Sequence, residues 1–174
     1  PARSGKDTAA AVLVKELGFV QASFADPIRQ FVARILGCTV QDMEHIKELP
    51  HERLCGHSPR YAMQTLGTEW GRNIIGPDFW TQHGLRQGLL AAYQKPGVVF
   101  SDVRFENEAK AIRDAGGWIV HIRRPGVSIN SGHSSEAGIN VYGVDQCIVN
   151  DGSIEKLTAS VLGLARSLGL GTKR

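Results

Sequence analysis

The chain contains 174 residues, of which 42% are hydrophobic and 21% are charged, and these fractions are typical of one globular domain with a sizeable core. Basic side chains outnumber acidic ones by 20 to 17, giving a net charge of +3, which is not the strongly basic signature of a nucleic-acid-binding protein. No apolar run reaches the roughly 18 residues of a membrane span, and no signal-peptide pattern opens the chain. Three widely spaced cysteines, Cys38, Cys55 and Cys147, argue against a disulfide framework, so we expect a cytoplasmic protein.

The segment Arg3–Thr8 reads Arg-Ser-Gly-Lys-Asp-Thr and matches the second half of the phosphate-binding pattern G-x-x-x-x-G-K-[S/T]. Gly5 lets the backbone curl so that successive N–H groups face a phosphate, and the following helix adds its free N–H groups and positive dipole end. Lys6 adds a mobile positive charge for the β- and γ-phosphates. The alternative is a Gly-Lys dipeptide at a frayed basic terminus. The first glycine of the pattern, and the strand that normally leads into such a loop, are expected upstream of Pro1.

Apolar spacing predicts alternating helices and strands along the rest of the chain. Helices are predicted at 5–17, from an N-cap at Asp26 to Gly37, at 40–49, 58–75, 79–93 and 105–115, and from Ile154 onward; strands are predicted at 19–23, 98–100, 118–122 and 146–149. The helix at 58–75 is expected to bury Met63, Leu66, Trp70 and Ile74. Alternating strands and helices predict an α/β domain with a parallel sheet.

The expected organisation is one domain over residues 1–174. Residues 26–94 form its helical region. Residues 124–143 are rich in Gly, Ser and Pro, which is typical of a loop or lid.

Charged residues follow two of the predicted strands. Asp102 comes after the apolar run at 98–100, where an α/β sheet binds its ligands, and its carboxylate is suited to Mg²⁺. Arg104 is placed to clamp a phosphate, and Arg124, which opens the lid, to neutralise a transferred phosphoryl group. The alternatives are a helix N-cap with a surface arginine at 102–104 and a solvent-exposed basic turn at 123–126.

One face of the helix at 58–75 carries Arg60, Gln64, Gly67 and Gly71. Glycine in a helix interior costs about 0.5–1 kcal/mol relative to alanine, so the two glycines indicate close approach by another group. A flat ligand is one candidate for that group, and a second helix is the alternative.

Taken together, these segments resemble the bacteriophage deoxynucleoside monophosphate kinases of the P-loop kinase superfamily. The resemblance covers most of the chain. Its motifs lie at Arg3–Thr8, Asp26–Ile28, Met63–Glu69, Asp102–Arg104, Arg124–Gly126, His133–Gly138 and Val149–Ser153. It implies a three-layer α/β/α fold with a central parallel sheet and a lid. It also implies transfer of the γ-phosphoryl group of ATP to a deoxynucleoside monophosphate, with Mg²⁺.

The resemblance also implies roles for individual residues. The residues that would bind the phosphates of the donor nucleotide are Arg3, Ser4, Gly5, Lys6, Asp7 and Thr8. The residues that would contact its adenine are Asn150, Asp151 and Gly152. The acceptor falls to Phe24, Asp26, Arg29, Arg60, Gln64, Thr68, Asp102 and Arg104. Catalytic roles fall to Lys6, Arg104, Arg124 and Asp26. Asp102 and Thr8 would bind Mg²⁺. Thr8 is included because Asp7 occupies the position where the pattern has a serine or threonine.

Two other functions fit parts of the same pattern. One is phosphorylation of another small metabolite, as in the phosphomevalonate or dephospho-coenzyme A kinases. The other is a non-catalytic nucleotide- or nucleic-acid-binding protein with a degenerate loop. The expected partner is a deoxynucleoside monophosphate substrate, not a nucleic acid polymer or a membrane, and a homodimer is left open.

Overall fold

The computed structural model describes residues 4–126 and 144–170, which divide into two compact units. One unit, the strand unit, combines the chain up to Ser23 with the chain from Leu85 onward; the other, the helical unit, is Phe24–Gly84. The elements in chain order are α1 (Lys6–Leu17), β1 (Val20–Ala22), α2 (Asp26–Leu36), α3 (Val40–Ile46), a 3₁₀ turn (Glu52–Leu54), α4 (Pro59–Gln64), a π-helix (Thr65–Ile75), α5 (Phe79–Ala91), β2 (Val98–Phe100), α6 (Glu106–Asp114), β3 (Val120–Arg123), β4 (Gln146–Val149) and α7 (Ile154–Ser167).

The described strands form two parallel pairs in the strand unit. β1 pairs with β2, placing Val20 opposite Val98, and β3 pairs with β4, placing Ile122 opposite Ile148. α1 contacts both β1 and β2 and packs against α7. The mixed α/β class with parallel strands therefore agrees with the sequence prediction.

The core of the strand unit explains why these segments form their elements. Val12 of α1, Ile122 and Ile148 of the second strand pair, and Leu157 and Val161 of α7 are all buried in one apolar cluster. α1 ends where Gly18 adopts a left-handed conformation with φ of 71°, as the sequence predicted, because glycine accepts this conformation without strain.

The strand predicted to begin at Trp118 begins instead at Val120. The N–H of Ile119 donates to the Asp145 carboxylate at 2.7 Å and is therefore not used in a strand ladder. Trp118, which the sequence placed in the buried strand, is about half exposed.

The helical unit has its own core around Val32, Ala33, Leu36 and Met43. Arg53 donates from Nη1 to the carbonyl of Leu36 at 2.7 Å and so satisfies a carbonyl at the C-terminal end of α2. The prediction that Asp26 is the N-cap of α2 is wrong by one residue. The cap position belongs to Ala25, and Asp26 lies in the first turn, where a carboxylate interacts favourably with the helix dipole.

The helix predicted at 58–75 is α-helical only as far as Gln64 and continues as a π-helix from Thr65 to Ile75. In a π-helix the backbone hydrogen bonds join residues i and i+5, and the helix is wider than an α-helix. Residues that would share one face of an α-helix with 3.6 residues per turn therefore do not share one face here. Trp70 and Ile74, which the sequence placed on the buried face, are accordingly exposed.

The two glycines of this segment accommodate apolar side chains of the same unit. A Cβ on Gly71 would lie 2.0 Å from Trp80 Nε1, and one on Gly67 would lie 3.1 Å from Ile28 Cδ1. Trp80 Nε1 also donates to the carbonyl of Gly67 at 3.0 Å. The expectation of a flat ligand against these glycines is thus wrong, and the alternative, a neighbouring helix, is what the structure has.

We expect Gly71→Ala to destabilise the helical unit by about 1–3 kcal/mol, because the new methyl group would force the indole of Trp80 out of its site. Urea unfolding measures the change. Gly163→Ala in α7 is the matched control, since a Cβ there meets nothing within 4 Å, and it is expected to be stabilising by a few tenths to about 1 kcal/mol. Equal stability of the two variants would contradict the packing assigned to Gly71.

The Asp145 carboxylate ties α6 to the start of β3. It accepts from the Ile119 N–H and from Arg113 Nε, at 2.7 and 3.0 Å. Burial pushes the pKa of Asp145 upward, but these two hydrogen bonds outweigh burial and hold the pKa below its usual value. The stabilisation is therefore complete above the unfolded-state pKa of about 3.9 and is lost as the pH falls through the lower folded-state pKa.

We expect Asp145→Ala to flatten the acid limb of the stability curve. The parent chain loses free energy of unfolding between about pH 5 and pH 2, and the variant loses less over the same interval because it lacks this group. Unfolding measured at a series of pH values tests this. Parallel acid limbs in the two proteins would contradict the role given to Asp145.

Candidate active site

The glycine-lysine loop is built as a helix entrance. Gly5 is the N-cap residue of α1 and has φ of 101°, a conformation that residues with a side chain rarely adopt. Its carbonyl accepts the first helical hydrogen bond from Ala9 N at 2.9 Å. The free N–H groups of the first turn are therefore gathered at one point, the arrangement that binds anions.

The side chains of the loop differ in exposure. Ser4 is fully buried, with 1% of its surface exposed. Lys6 is about one-third exposed and pairs with the exposed carboxylate of Asp7 at 3.1 Å. Such a pair is held weakly in solvent, so Lys6 can exchange Asp7 for a phosphate.

The buried amide of Asn150 supports the loop from behind. Its Nδ2 donates to the carbonyl of Ser4 at 2.9 Å, and its backbone N–H donates to the carbonyl of Arg123 at 2.7 Å. A Cβ on Gly5 would lie 2.5 Å from this Nδ2. The loop is therefore bonded to the side chain of Asn150, and the end of β3 is bonded to its backbone N–H.

Asp102 lies just beyond β2, as the sequence predicted, and is oriented by the hydroxyl of Ser23, which directly follows β1. Ser23 Oγ donates to Asp102 Oδ2 at 2.5 Å. Lys6 lines the same cavity as Ser101 and Val103, which flank Asp102 in the chain. Lys6 and Asp102 therefore both belong to the strand unit, one at the start of α1 and the other just beyond β2.

The donor set suits Mg²⁺. That ion is typically held by one or two carboxylates together with water and substrate phosphates, and Asp102 supplies one carboxylate. Within residues 4–126 and 144–170, no three His, Cys, Asp or Glu side chains group together as a dedicated metal cage. Thr8, the second predicted ligand, lies half-buried in the first turn of α1.

The backbone of Arg104 is held by a buried carboxylate that the sequence reasoning did not single out. Glu108, with 3% of its surface exposed, accepts through Oε2 from the N–H groups of Arg104 and Phe105, at 2.7 and 3.1 Å. The signal was an acidic residue at the third position of a helix, where it reaches back to the cap. The Arg104 side chain itself is exposed.

Six of the eight predicted acceptor residues lie in the helical unit, whereas Asp102 and Arg104 lie in the strand unit. Phe24 is buried, and Gln64 is exposed while Thr68 is half-buried. Arg29 pairs with Asp26 at 3.2 Å, and Arg60 pairs with Glu48 at 2.5 Å. Both arginines therefore carry carboxylate partners, at least partly exposed, of the kind that an anionic ligand displaces.

The predicted adenine segment follows β4 on the surface. Asp151 and Gly152 are exposed, and Lys156 donates to the Asp151 carboxylate at 2.8 Å. This bond holds the pKa of Asp151 below its usual value. Arg124 is exposed at the end of β3, whereas Arg3 and lid residues 127–143 lie outside the described residues.

The described part of the chain defines a mixed α/β protein whose first helix opens on a glycine-lysine loop. The family model described as deoxynucleotide monophosphate kinase matches residues 36–161. A protein of Acanthamoeba polyphaga mimivirus that carries that name provisionally is 31% identical over 172 residues, covering 91% of this chain and 89% of that protein. The chain belongs to the deoxynucleotide monophosphate kinase family.

Phage enzymes match over a shorter part. The deoxynucleotide monophosphate kinase of Enterobacteria phage T4 is 32% identical over 107 residues, which are 60% of this chain and 44% of that enzyme. The deoxynucleoside-5'-monophosphate kinase of Escherichia phage T5 is 30% identical over 100 residues, or 53% of this chain and 39% of that enzyme. The matched part is less than half of each phage enzyme. No helix in the described ranges is long and apolar enough to cross a membrane.

Proposed function

We propose that this chain transfers the γ-phosphoryl group of ATP to deoxynucleoside monophosphates, giving ADP and deoxynucleoside diphosphates. The observation that carries the proposal is the Gly5-Lys6 loop at the start of α1 in a chain of this kinase family. Phosphoryl transfer needs little covalent help from a protein, so positioning and charge neutralisation perform most of the catalysis.

The donor phosphates fall to the loop. The N–H groups that follow Gly5 point to one place at the N-terminal end of α1 and carry the positive end of the helix dipole. Lys6 adds a charge that can follow the γ-phosphoryl group during transfer. Arg3, Ser4, Asp7 and Thr8 complete this group, with Asn150, Asp151 and Gly152 on the adenine side.

Asp102 and Thr8 would hold Mg²⁺, and the ion would neutralise part of the charge on the donor phosphates. Ser23 donates to one oxygen of Asp102 and fixes its orientation, as outer-shell hydrogen bonds do for metal-binding carboxylates.

The acceptor falls to the helical unit. Arg29 and Arg60 are suited to the acceptor phosphate, because guanidinium groups bind phosphate oxygens in pairs. Their present partners, Asp26 and Glu48, are 47% and 59% exposed, so exchanging them for a phosphate costs little. Asp26, freed from Arg29, is then placed to accept from the sugar. Phe24, Gln64 and Thr68 complete the acceptor side.

Arg104 and Arg124 supply the remaining positive charge. Glu108 fixes the backbone of Arg104, so its side chain extends from a defined point. Arg124 opens the lid segment at 124–143, and closure of that lid would exclude water and so limit hydrolysis of ATP.

We expect Lys6→Ala to lower kcat by about a hundredfold or more, because the loop loses its transition-state charge. Lys15→Ala is the matched control. Lys15 lies in the same helix, and its side chain is 85% exposed. Its removal is expected to leave kcat unchanged. A coupled assay of ADP formation on each of the four deoxynucleoside monophosphates measures both variants. Full activity of Lys6→Ala would refute the role of Lys6.

The same assay separates this function from its rivals. Turnover with phosphomevalonate or dephospho-coenzyme A, and none with any deoxynucleotide, would favour a different metabolite kinase. Binding of ATP without turnover of any acceptor would favour a non-catalytic protein. The family match supports the deoxynucleotide reading over both.

The three-layer α/β/α fold is part of the same proposal. An apolar cavity of about 480 Å³ is lined by β2 through Val98 and Phe100 and by β3 through Val120 and Ile122. In the described residues, β2 pairs only with β1 and β3 only with β4. We propose that a fifth parallel strand lies between β2 and β3 and joins the two pairs into one sheet.

The occupant that we propose is a strand that precedes the glycine-lysine loop. Loops of this type are entered from a strand, and both Lys6 and Ala10 at the start of α1 line the cavity. A strand buried on both faces reads as a continuous apolar run, which matches the apolar lining.

We expect an added N-terminal segment of six Val and Ile residues followed by Gly to raise the Tm of the chain and to slow amide exchange in β2 and β3. The added strand would pair with both inner edges and exclude water from the cavity. The control is an extension of equal length made of Ser and Asn and ending in the same Gly. Equal effects of the two extensions, or no effect of either, would contradict the proposed strand.

A further inference from the structure

The side chain of Asn150 is hydrogen-bonded to the glycine-lysine loop, which we propose binds the donor phosphates. It is 8% exposed, and its Nδ2 donates to the carbonyl of Ser4, a residue 146 positions away in the chain. Ser4 is itself fully buried. This hydrogen bond is shielded from water, so losing it leaves a buried carbonyl without that donor.

The direction of the Ser4 carbonyl matters for binding an anion. A loop that presents its N–H groups to a phosphate must direct its carbonyl groups elsewhere, because a carbonyl oxygen facing a phosphate oxygen is repelled. Gly5 turns through the left-handed conformation directly after Ser4, and the carbonyl before this turn is held by its hydrogen bond from the Asn150 amide.

The same residue also contacts the end of β3. The N–H of Asn150 donates to the carbonyl of Arg123 at 2.7 Å, immediately before Arg124. One residue therefore fixes the loop through its side chain and the end of β3 through its backbone.

We propose that Asn150 is a positioning residue for the donor nucleotide. It holds the Ser4 carbonyl away from the phosphates and keeps the loop in register with the strand end that carries Arg124. The proposal rests on the proposed function, and it assigns the Asn150 side chain to the loop rather than to the adenine, which is left to Asp151 and Gly152. A neutral amide is required, because a carboxylate of the same shape would have no N–H to donate. It would instead place a negative oxygen against the partially negative carbonyl oxygen of Ser4.

The test is Asn150→Asp, with Asn150→Ala as the variant that removes the donor without adding charge. We expect the Kd for a non-hydrolysable ATP analogue, measured by calorimetry, to rise about tenfold in Asn150→Ala and further in Asn150→Asp. The KM for the deoxynucleoside monophosphate stays within about twofold of the parent value, because no acceptor residue has moved.

Asp145→Ala is the matched control. It removes a different side chain that accepts a backbone N–H in the same unit, so it lowers stability without touching the loop. If Asp145→Ala weakens analogue binding as much as the Asn150 variants do, or if Asn150→Asp binds the analogue as the parent does, the proposal is overturned.

A second measurement is independent of nucleotide binding. The amide resonance of Gly5 in the ligand-free protein is expected to shift in both Asn150 variants and to stay unchanged in Asp145→Ala. A parent chain that bound no ATP analogue would contradict the proposed function. The positioning of the loop would still be supported by a shifted Gly5 resonance and overturned by an unshifted one.

Discussion

The hydrogen bond from Asn150 to the Ser4 carbonyl is the contact on which the candidate site depends. Asn150 directly follows β4 and is far in the chain from both the loop and the end of β3. Its side chain bonds to the loop, and its backbone N–H bonds to the Arg123 carbonyl at the end of β3. The cluster of α1, β3, β4 and α7 side chains beneath it supplies the apolar burial. That burial is non-directional, whereas the amide specifies which way the loop faces.

Local chemistry explains which parts of the fold could be predicted. α1, β2 and β4 follow the predicted positions closely, because each depends on signals within a few residues, such as Gly18 after α1 or the apolar run at 98–100. The π-helix at 65–75 could not be predicted in this way, because Trp80 and Ile28, which pack against its glycines, lie elsewhere in the chain. The α-helical spacing of apolar residues therefore wrongly predicted that Trp70 and Ile74 are buried.

In the candidate site, too, the features with local sequence signals could be predicted and those that depend on distant residues could not. Lys6, Asp102 and Arg124 were predicted because their chemistry is visible beside a loop or a strand end. The groups that orient them were not predicted: Ser23 on Asp102 acts across 79 positions and Asn150 on Ser4 across 146. Neither contact has a spacing that a single sequence reveals. Glu108 was not predicted either, although its signal is local: it lies only four residues from Arg104, at the position of an ordinary capping residue.

The helical unit is inserted between β1 and β2, which are neighbours in the same strand pair. Pairing these strands therefore closes a loop that includes all of residues 24–84, and closing a long loop delays folding. The inserted segment has its own buried core around Val32 and Met43. If that core collapses first, the loop left for β1 and β2 to close is much shorter than the chain between them, and the entropy lost on closure falls with it. We therefore expect the helical unit to form before β1 and β2 pair.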